Sequence, residues 1–236
     1  MSAPWILMYH AVEPYDDDPH LICVSPERFR GQMAWLARRG LRAVSMRELT
    51  GRLGAGSARG LVGLTFDDAY GGFREHVLPL LGELGFSATV FAVAGHLGGA
   101  NDWDDGPRRA LMTAQELARL AAEGVEIGSH GLTHARMTTL AGDQLVRETE
   151  HSRALLQEAV GAEVTGFCYP YGACSRAAVD AVRAAGYDYA CGYRTPARGE
   201  RFLLPRTFVG ERDGSLRLAA KLAVHRLGVP RRSPSA

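Results

Sequence analysis

The chain has 236 residues, 46% apolar and 22% charged, the proportions of a globular protein with room for a substantial core. Its 27 Lys and Arg nearly cancel its 26 Asp and Glu, so no broad basic field exists to hold nucleic acid or an anionic membrane. No apolar run approaches the ~18 residues of a membrane span. In chain order, Trp5–His10 (WILMYH) reads as a first strand. It lacks a preceding basic region, is short for a secretory core and ends in a histidine, so it does not read as an export signal. Ser25 before Pro26 and Glu27 is a helix N-cap; Phe29, Met33 and Leu36 give the apolar stripe, and Gly40 can close the helix. Strands follow at Arg42–Ser45 and Leu61–Phe66, with a linker-like GAGSARG (54–60) between them. Tyr70–Leu84 has a helical pattern, and Ala88–Ala94 is a strand. Thr113 with Glu116 predicts a capping box for a helix reaching Glu123, which Gly124 ends. After strands Val125–Ser129 and Thr165–Tyr169, Ser175 caps a helix with Val179 and Val182 inward and Gly186 as its stop. Tyr187–Cys191 and Phe202–Val209 are the last strands. Arg226, Arg231 and Arg232 make a short basic end, and a tail over 228–236 is expected to be flexible.

Short apolar runs alternating with helical patterns predict a single α/β domain over 1–236 with largely parallel strands. Eight strands in this length permit a barrel or an open doubly wound sheet. A barrel gathers strand C-terminal ends around one mouth, which the loops Asp16–His20 and Gly95–Pro107 are long enough to overhang. The cysteines Cys23, Cys168, Cys174 and Cys191 form no CxxC pair, and a reducing cytoplasm is the expected compartment.

Two stretches carry chemistry. In GLTFDDAY an apolar strand ends in Asp67 and Asp68, whose alternating side-chain directions allow them different tasks. Taken alone, such a pair also suits a helix N-cap. In EIGSHGLTH a second strand runs into a turn bearing His130 and His134, whose i, i+4 spacing puts both imidazoles on one side if the turn is helical. HxxxH by itself is weak, but two imidazoles and a strand-end carboxylate make a three-ligand set for Zn2+ or a related divalent ion (Co2+, Mn2+, Ni2+).

TFDDAY and SHGLTH, in that order and separation, resemble the first two motifs of the NodB-type polysaccharide deacetylases, carbohydrate esterase family 4. The resemblance runs from about Trp5 to Val209 and implies a distorted (β/α)7 barrel that hydrolyses N-acetyl groups of amino sugars with a divalent metal. By position, Asp67 resembles the catalytic base, and Asp68, His130 and His134 the metal ligands. FCYPYG (Phe167–Gly172) resembles the third motif, with Tyr171 where the backbone N–H faces the oxyanion. Cys168 departs from it, standing where many members carry an arginine that orients the base; it reads as a small core residue, not a ligand or nucleophile. Arg206 is the candidate replacement, or else an ordinary surface arginine.

The family's last motif, Leu-x-x-His near the C-terminus, has no convincing match there, because LAVH ending at His225 falls in a helical stretch. Leu7 and His10 have that spacing in the first strand. First and last strands are neighbours in a closed barrel, so a permuted arrangement, resembling the poly-N-acetylglucosamine deacetylases, would make His10 the general acid. A structural histidine at a strand end is the alternative. Trp103 in GANDWDDGP either stacks on a sugar face or anchors its loop. His20, His76, His96 and His151 fit no usable spacing.

The expected function is metal-dependent removal of an N-acetyl group from an amino sugar, a cytoplasmic setting favouring an intracellular intermediate over a wall polymer. A non-sugar amide (N-formyl, acetylpolyamine or similar) is the alternative substrate. An inactive carbohydrate-binding module is disfavoured because all four motif positions are intact.

Overall fold

In chain order the strands are β1 (Ile6–Tyr9), β2 (Ala11–Val12), β3 (Cys23–Val24), β4 (Arg42–Val44), β5 (Leu61–Phe66), β6 (Thr89–Ala92), β7 (Glu126–Ser129), β8 (Gly166–Cys168), β9 (Tyr189–Gly192), β10 (Leu204–Pro205) and β11 (Thr207–Phe208). The helices are α1 (Pro26–Ala37), α2 (Met46–Gly54), α3 (Leu78–Leu84), α4 (Ala114–Ala122), α5 (Asp143–Val146), α6 (Ser152–Val160), α7 (Arg176–Ala184) and α8 (Ser215–Arg226). The structure is a computed structural model and describes residues 4–192 and 200–227. The basic tail 228–236, with Arg231 and Arg232, lies outside the described residues.

β1, β5, β6, β7, β8 and β9 are successive parallel neighbours. The last strand closes the ring by changing partners. Leu204 and Pro205 pair with Cys191 and Gly192 of β9, while Thr207 and Phe208 pair with Leu7 and Met8 of β1. Arg206 sits at the exchange, and β4 pairs with the start of β5 off the ring. The result is the distorted (β/α)7 barrel that was expected, and the first and last strands are neighbours. That pairing rules out an open doubly wound sheet.

The period-2 alternation of strand side chains sorts the core into two layers. Ile6, Phe91, Cys168, Tyr189 and Cys191 form a smaller inner cluster with Met46 and Leu49. Their strand neighbours Leu7, Tyr9, Val90, Ala92, Phe167 and Ala190 belong to the larger cluster shared with the helices. α2 covers the floor of the barrel, since its first N–H groups donate to Thr89 Oγ1 (2.8 Å) and Glu126 Oε2 (2.6 Å) at the starts of β6 and β7. The Ser25, Thr113 and Ser175 caps form as their sequences predict, Thr113 and Glu116 as a full capping box.

The helix expected from Tyr70 starts late. Asp68 and Ala69 take left-handed φ values of 70° and 62°, and Tyr70 forms an antiparallel bridge with Leu111. Helical structure begins only at Phe73 as a π turn to Val77, continuing as α3. The acidic pair therefore caps no helix. Strands β2 and β3 and helix α2 were not read from sequence; the two-residue strands are too short to show a period. Among the described residues no helix is long and apolar enough to cross a membrane.

Candidate metal centre

The site lies at the C-terminal ends of the strands, and each functional side chain follows from where its ladder stops. Asp67 still belongs to the ladder, its N–H donating to the Tyr9 carbonyl (2.9 Å). Asp68, in left-handed backbone, has already turned away. The two neighbouring carboxylates thus face different partners, through the left-handed turn at Asp68 and not through strand alternation.

Asp67 faces Arg206. Nη1 donates to Oδ1 (2.6 Å) and Nη2 to Oδ2 (2.7 Å), both side chains being buried. Arg206 also donates from Nη1 to Thr65 Oγ1 (3.1 Å) and from Nη2 to Cys168 Sγ (2.9 Å). Burial pushes the Asp67 carboxyl upward, but the Arg206 guanidinium and then His130 outweigh it and hold the group well below its ordinary value. Burial likewise lowers Arg206, and Asp67 more than restores it. Arg206 is therefore no surface arginine. The strand exchange sets it between β9 and β1, one strand removed from both Asp67 at the end of β5 and Cys168 on β8, whose buried thiol is held well above its ordinary value.

Asp68 faces the two imidazoles. His130 directly follows β7, its N–H donating to the Ala92 carbonyl (2.8 Å). Its Nδ1 lies 2.8 Å from the Cys168 carbonyl, which can only accept, so the proton is on Nδ1 and Nε2 presents its lone pair. Nε2 of His130 is 3.5 Å, and Nε2 of His134 3.4 Å, from Asp68 Oδ1. The expected helical turn between the histidines does not form. Ser129 and Glu148 intercept the loop N–H groups, and His134 adopts φ 59°; the imidazoles converge by a different route.

These atoms fit a divalent ion. Zn–N and Zn–O bonds of about 2.0–2.1 Å in a tetrahedron place ligand atoms about 3.3 Å apart, close to the separations seen here. Asp68 Oδ1 is buried without a hydrogen-bond partner among the described residues, facing two neutral nitrogens, an arrangement that costs energy unless a cation sits among them. In the protein alone, burial first and then Asp67 raise the Asp68 carboxyl well above its ordinary value, opposed by a hydrogen bond with Tyr70. Burial pushes His134 down to about 2, which keeps it neutral, as a ligand must be. Asp67, His130 and Cys168 are also close together. Both Asp67 oxygens, however, are taken by Arg206, and the thiol is protonated.

His10 directly follows β1, its Nε2 3.9 Å from Asp67 Oδ2. Burial lowers it to about 4, Asp67 acting in the opposite sense. On the far side, Tyr171 has φ 57° and a half-exposed ring 4.6 Å from that of His134. Its hydroxyl donates to Asp104 Oδ1 (3.1 Å), and Arg136 lies over its face at 4.3 Å. The Trp103 ring stacks on His134, with centroids 4.3 Å apart at 27°. One face of that indole is thus occupied, and its packing against the small cluster of Ala11, Cys23, Tyr70 and Leu111 anchors the loop. The overhanging loops meet where His20 Nε2 lies 2.5 Å from the Asp105 carbonyl.

Several contributors escaped sequence reasoning. Tyr70 and Glu148 touch the ligand segments, and His96 packs edge-on against Trp103 while its Nε2 lies 3.1 Å from Asp102 Oδ1. The one usable signal was Glu148, a carboxylate beside Leu145 and Thr149 on the buried side of a helical pattern.

The polysaccharide deacetylase family profile matches residues 55–190. YxkH of Bacillus subtilis (strain 168) is 24% identical over 185 residues, spanning 78% of this chain and 62% of that relative, so the chain covers less than two thirds of YxkH's own length. Among solved structures, the Streptococcus pyogenes deacetylase PplD in complex with acetate superposes with a TM-score of 0.79 at 20% identity, covering 92% of this chain and 97% of that one. IcaB from Ammonifex degensii gives 0.76 at 23%, covering 93% and 97%. At such identities these two likenesses speak for the fold. The profile match over more than half of the chain, with the barrel and the strand-end acids and histidines, places this protein in the polysaccharide deacetylase family.

Proposed function

We propose that the chain is a divalent-metal-dependent N-deacetylase acting on an N-acetylated amino sugar or an intermediate that contains one. The observation that carries this reading is the pairing of Asp68, His130 and His134, with Nε2–Oδ1 separations of 3.4 and 3.5 Å, beside an Asp67 gripped by Arg206. A bound Zn2+, or Co2+, Mn2+ or Ni2+ in its place, would acidify water and polarise the acetyl carbonyl. Asp68, His130 and His134 would hold the ion. Asp67 takes the proton of the attacking water, its carboxylate kept ionised by Arg206 and oriented by the two-point contact. Tyr171, in left-handed backbone beside the His134 ring, would offer its backbone N–H to the oxyanion that develops on the acetyl oxygen. His10, neutral at rest with Nε2 3.9 Å from Asp67 Oδ2, would take over the proton that Asp67 receives and pass it to the departing amine. Trp103 and Tyr171 border the mouth, where aromatic edges meet the sugar.

Cys23, Cys168 and Cys191 are buried thiols, which suits a reducing cytoplasm and thus an intracellular N-acetylated intermediate. Acetate release from N-acetylhexosamines, alone and as sugar nucleotides or oligosaccharides, measured beside N-formyl compounds and acetylpolyamines, tests the substrate class. Turnover confined to the non-sugar amides would replace this reading with the alternative hydrolase. No release from any of them by metal-loaded protein would favour a binding module.

A further inference from the structure

His130 and His134 are held in different ways. His130 donates from Nδ1 to a backbone carbonyl, the usual device for aiming a ligating imidazole. His134 Nδ1 is buried and has no hydrogen-bond partner among the described residues. The aim of its ring therefore depends on the backbone that carries it and on the rings of Trp103 and Tyr171 that pack against it. That backbone is left-handed at His134, a conformation that persists only when its surroundings impose it.

The imposing group is Glu148. It is buried in the π turn Arg147–His151 between α5 and α6, the kind of helical bulge often found at functional sites. Its Oε2 accepts from the N–H groups of Leu132 (2.7 Å) and Thr133 (3.1 Å), and its Oε1 from the Thr133 hydroxyl (2.6 Å). The Gly131 N–H donates to Ser129 Oγ (3.1 Å), which contacts Ser152 Oγ (2.9 Å), and that hydroxyl donates to the Glu148 carbonyl (2.7 Å). All three backbone N–H groups between the histidines thus end on one network. The loop carbonyls of Gly131 and Leu132 accept from Ala94 and Gly95. Glu148 also packs so closely that a Cβ at Gly131 would lie 2.7 Å from Oε2, and Gly131 itself has φ +82°.

We infer that Glu148 is a positioning residue: by fixing the loop Gly131–Thr133 it sets where His134 stands relative to His130 and Asp68, and so sets metal affinity. The inference rests on the metal reading above. Glu148→Met keeps the volume and removes every acceptor. It should weaken Zn2+ binding, read by chelator competition well below the melting temperature, by about 10- to 100-fold. The visible absorption of the Co2+ form should change with it. Glu148→Gln should recover most of the affinity, because its amide oxygen still accepts both N–H groups while its NH2 donates to Thr133 Oγ. Thr133→Val, at an exposed position, should cost roughly three- to tenfold and decides the matter if the Met variant does not fold. Wild-type affinity and an unchanged Co2+ spectrum in the Met variant, whatever its melting temperature, or in Thr133→Val where the Met variant does not fold, would overturn the inference and leave the metal reading intact. If the unaltered protein shows no His134-dependent ion binding, both fall.

Discussion

Replacing Arg206 by Met removes the guanidinium and keeps an unbranched side chain of similar length against Phe91. What remains is an Asp67 carboxylate, 2% exposed, that has lost two charge-assisted hydrogen bonds of 2.6 and 2.7 Å. Breaking a buried pair on one side costs about 3–5 kcal/mol, because the orphaned charge keeps its desolvation penalty. In a domain of this size each kcal/mol moves the melting temperature by about 2–4 °C, so a drop of about 6–20 °C is expected in metal-free protein. Adding Asp67→Asn removes the uncompensated charge and should return part of that loss, so the two substitutions should be strongly non-additive in a double-mutant cycle. Calorimetry of the four proteins measures this directly. A melting temperature within about 1 °C of wild type for Arg206→Met, or additive losses, would refute the view that Arg206 offsets the burial of Asp67.

His10→Ala should leave metal binding unchanged and slow turnover by a factor on the order of 10²–10⁴; normal turnover would remove the assignment of the acid to the first strand. Gly128→Ala tests the packing of the barrel, since a Cβ there would lie 2.5 Å from the Phe91 ring. We expect a cost of about 1–3 kcal/mol, and an unchanged unfolding midpoint in urea would show that the inner layer has slack.

The barrel was legible because its strands are apolar runs bounded by glycines and capped helices, and the candidate ligand cluster because Asp67–Asp68 and His130–His134 both fall at strand ends. The neighbouring positions of Leu7–His10 and Phe202–Val209 followed from ring closure, and the β1–β11 pairing agrees. Arg206 was a candidate for orienting Asp67 from sequence, and the contact agrees; what stayed hidden was the long-range route that brings them together. Nothing near Arg206 in sequence shows that its strand changes partners there, 139 residues from Asp67, which places a guanidinium inside the barrel. The helix expected from Tyr70 starts only at Phe73, because periodicity does not register left-handed residues such as Asp68 and Ala69. Similarly, i, i+4 spacing suggested a helical turn for His130–His134, whereas Ser129 and Glu148 capture the N–H groups such a turn would use. Trp103 had two readings from sequence, and its stacking on His134 gives it the anchoring role without excluding its edge from a ligand.

The most direct measurement is equilibrium dialysis of wild type and His134→Ala against the same free Zn2+, followed by elemental analysis. One ion per wild-type chain, and none retained by the variant at that concentration, is the expected result. Zinc absent from the wild type, or held by His134→Ala with equal stoichiometry and affinity, would contradict an ion shared by Asp68, His130 and His134.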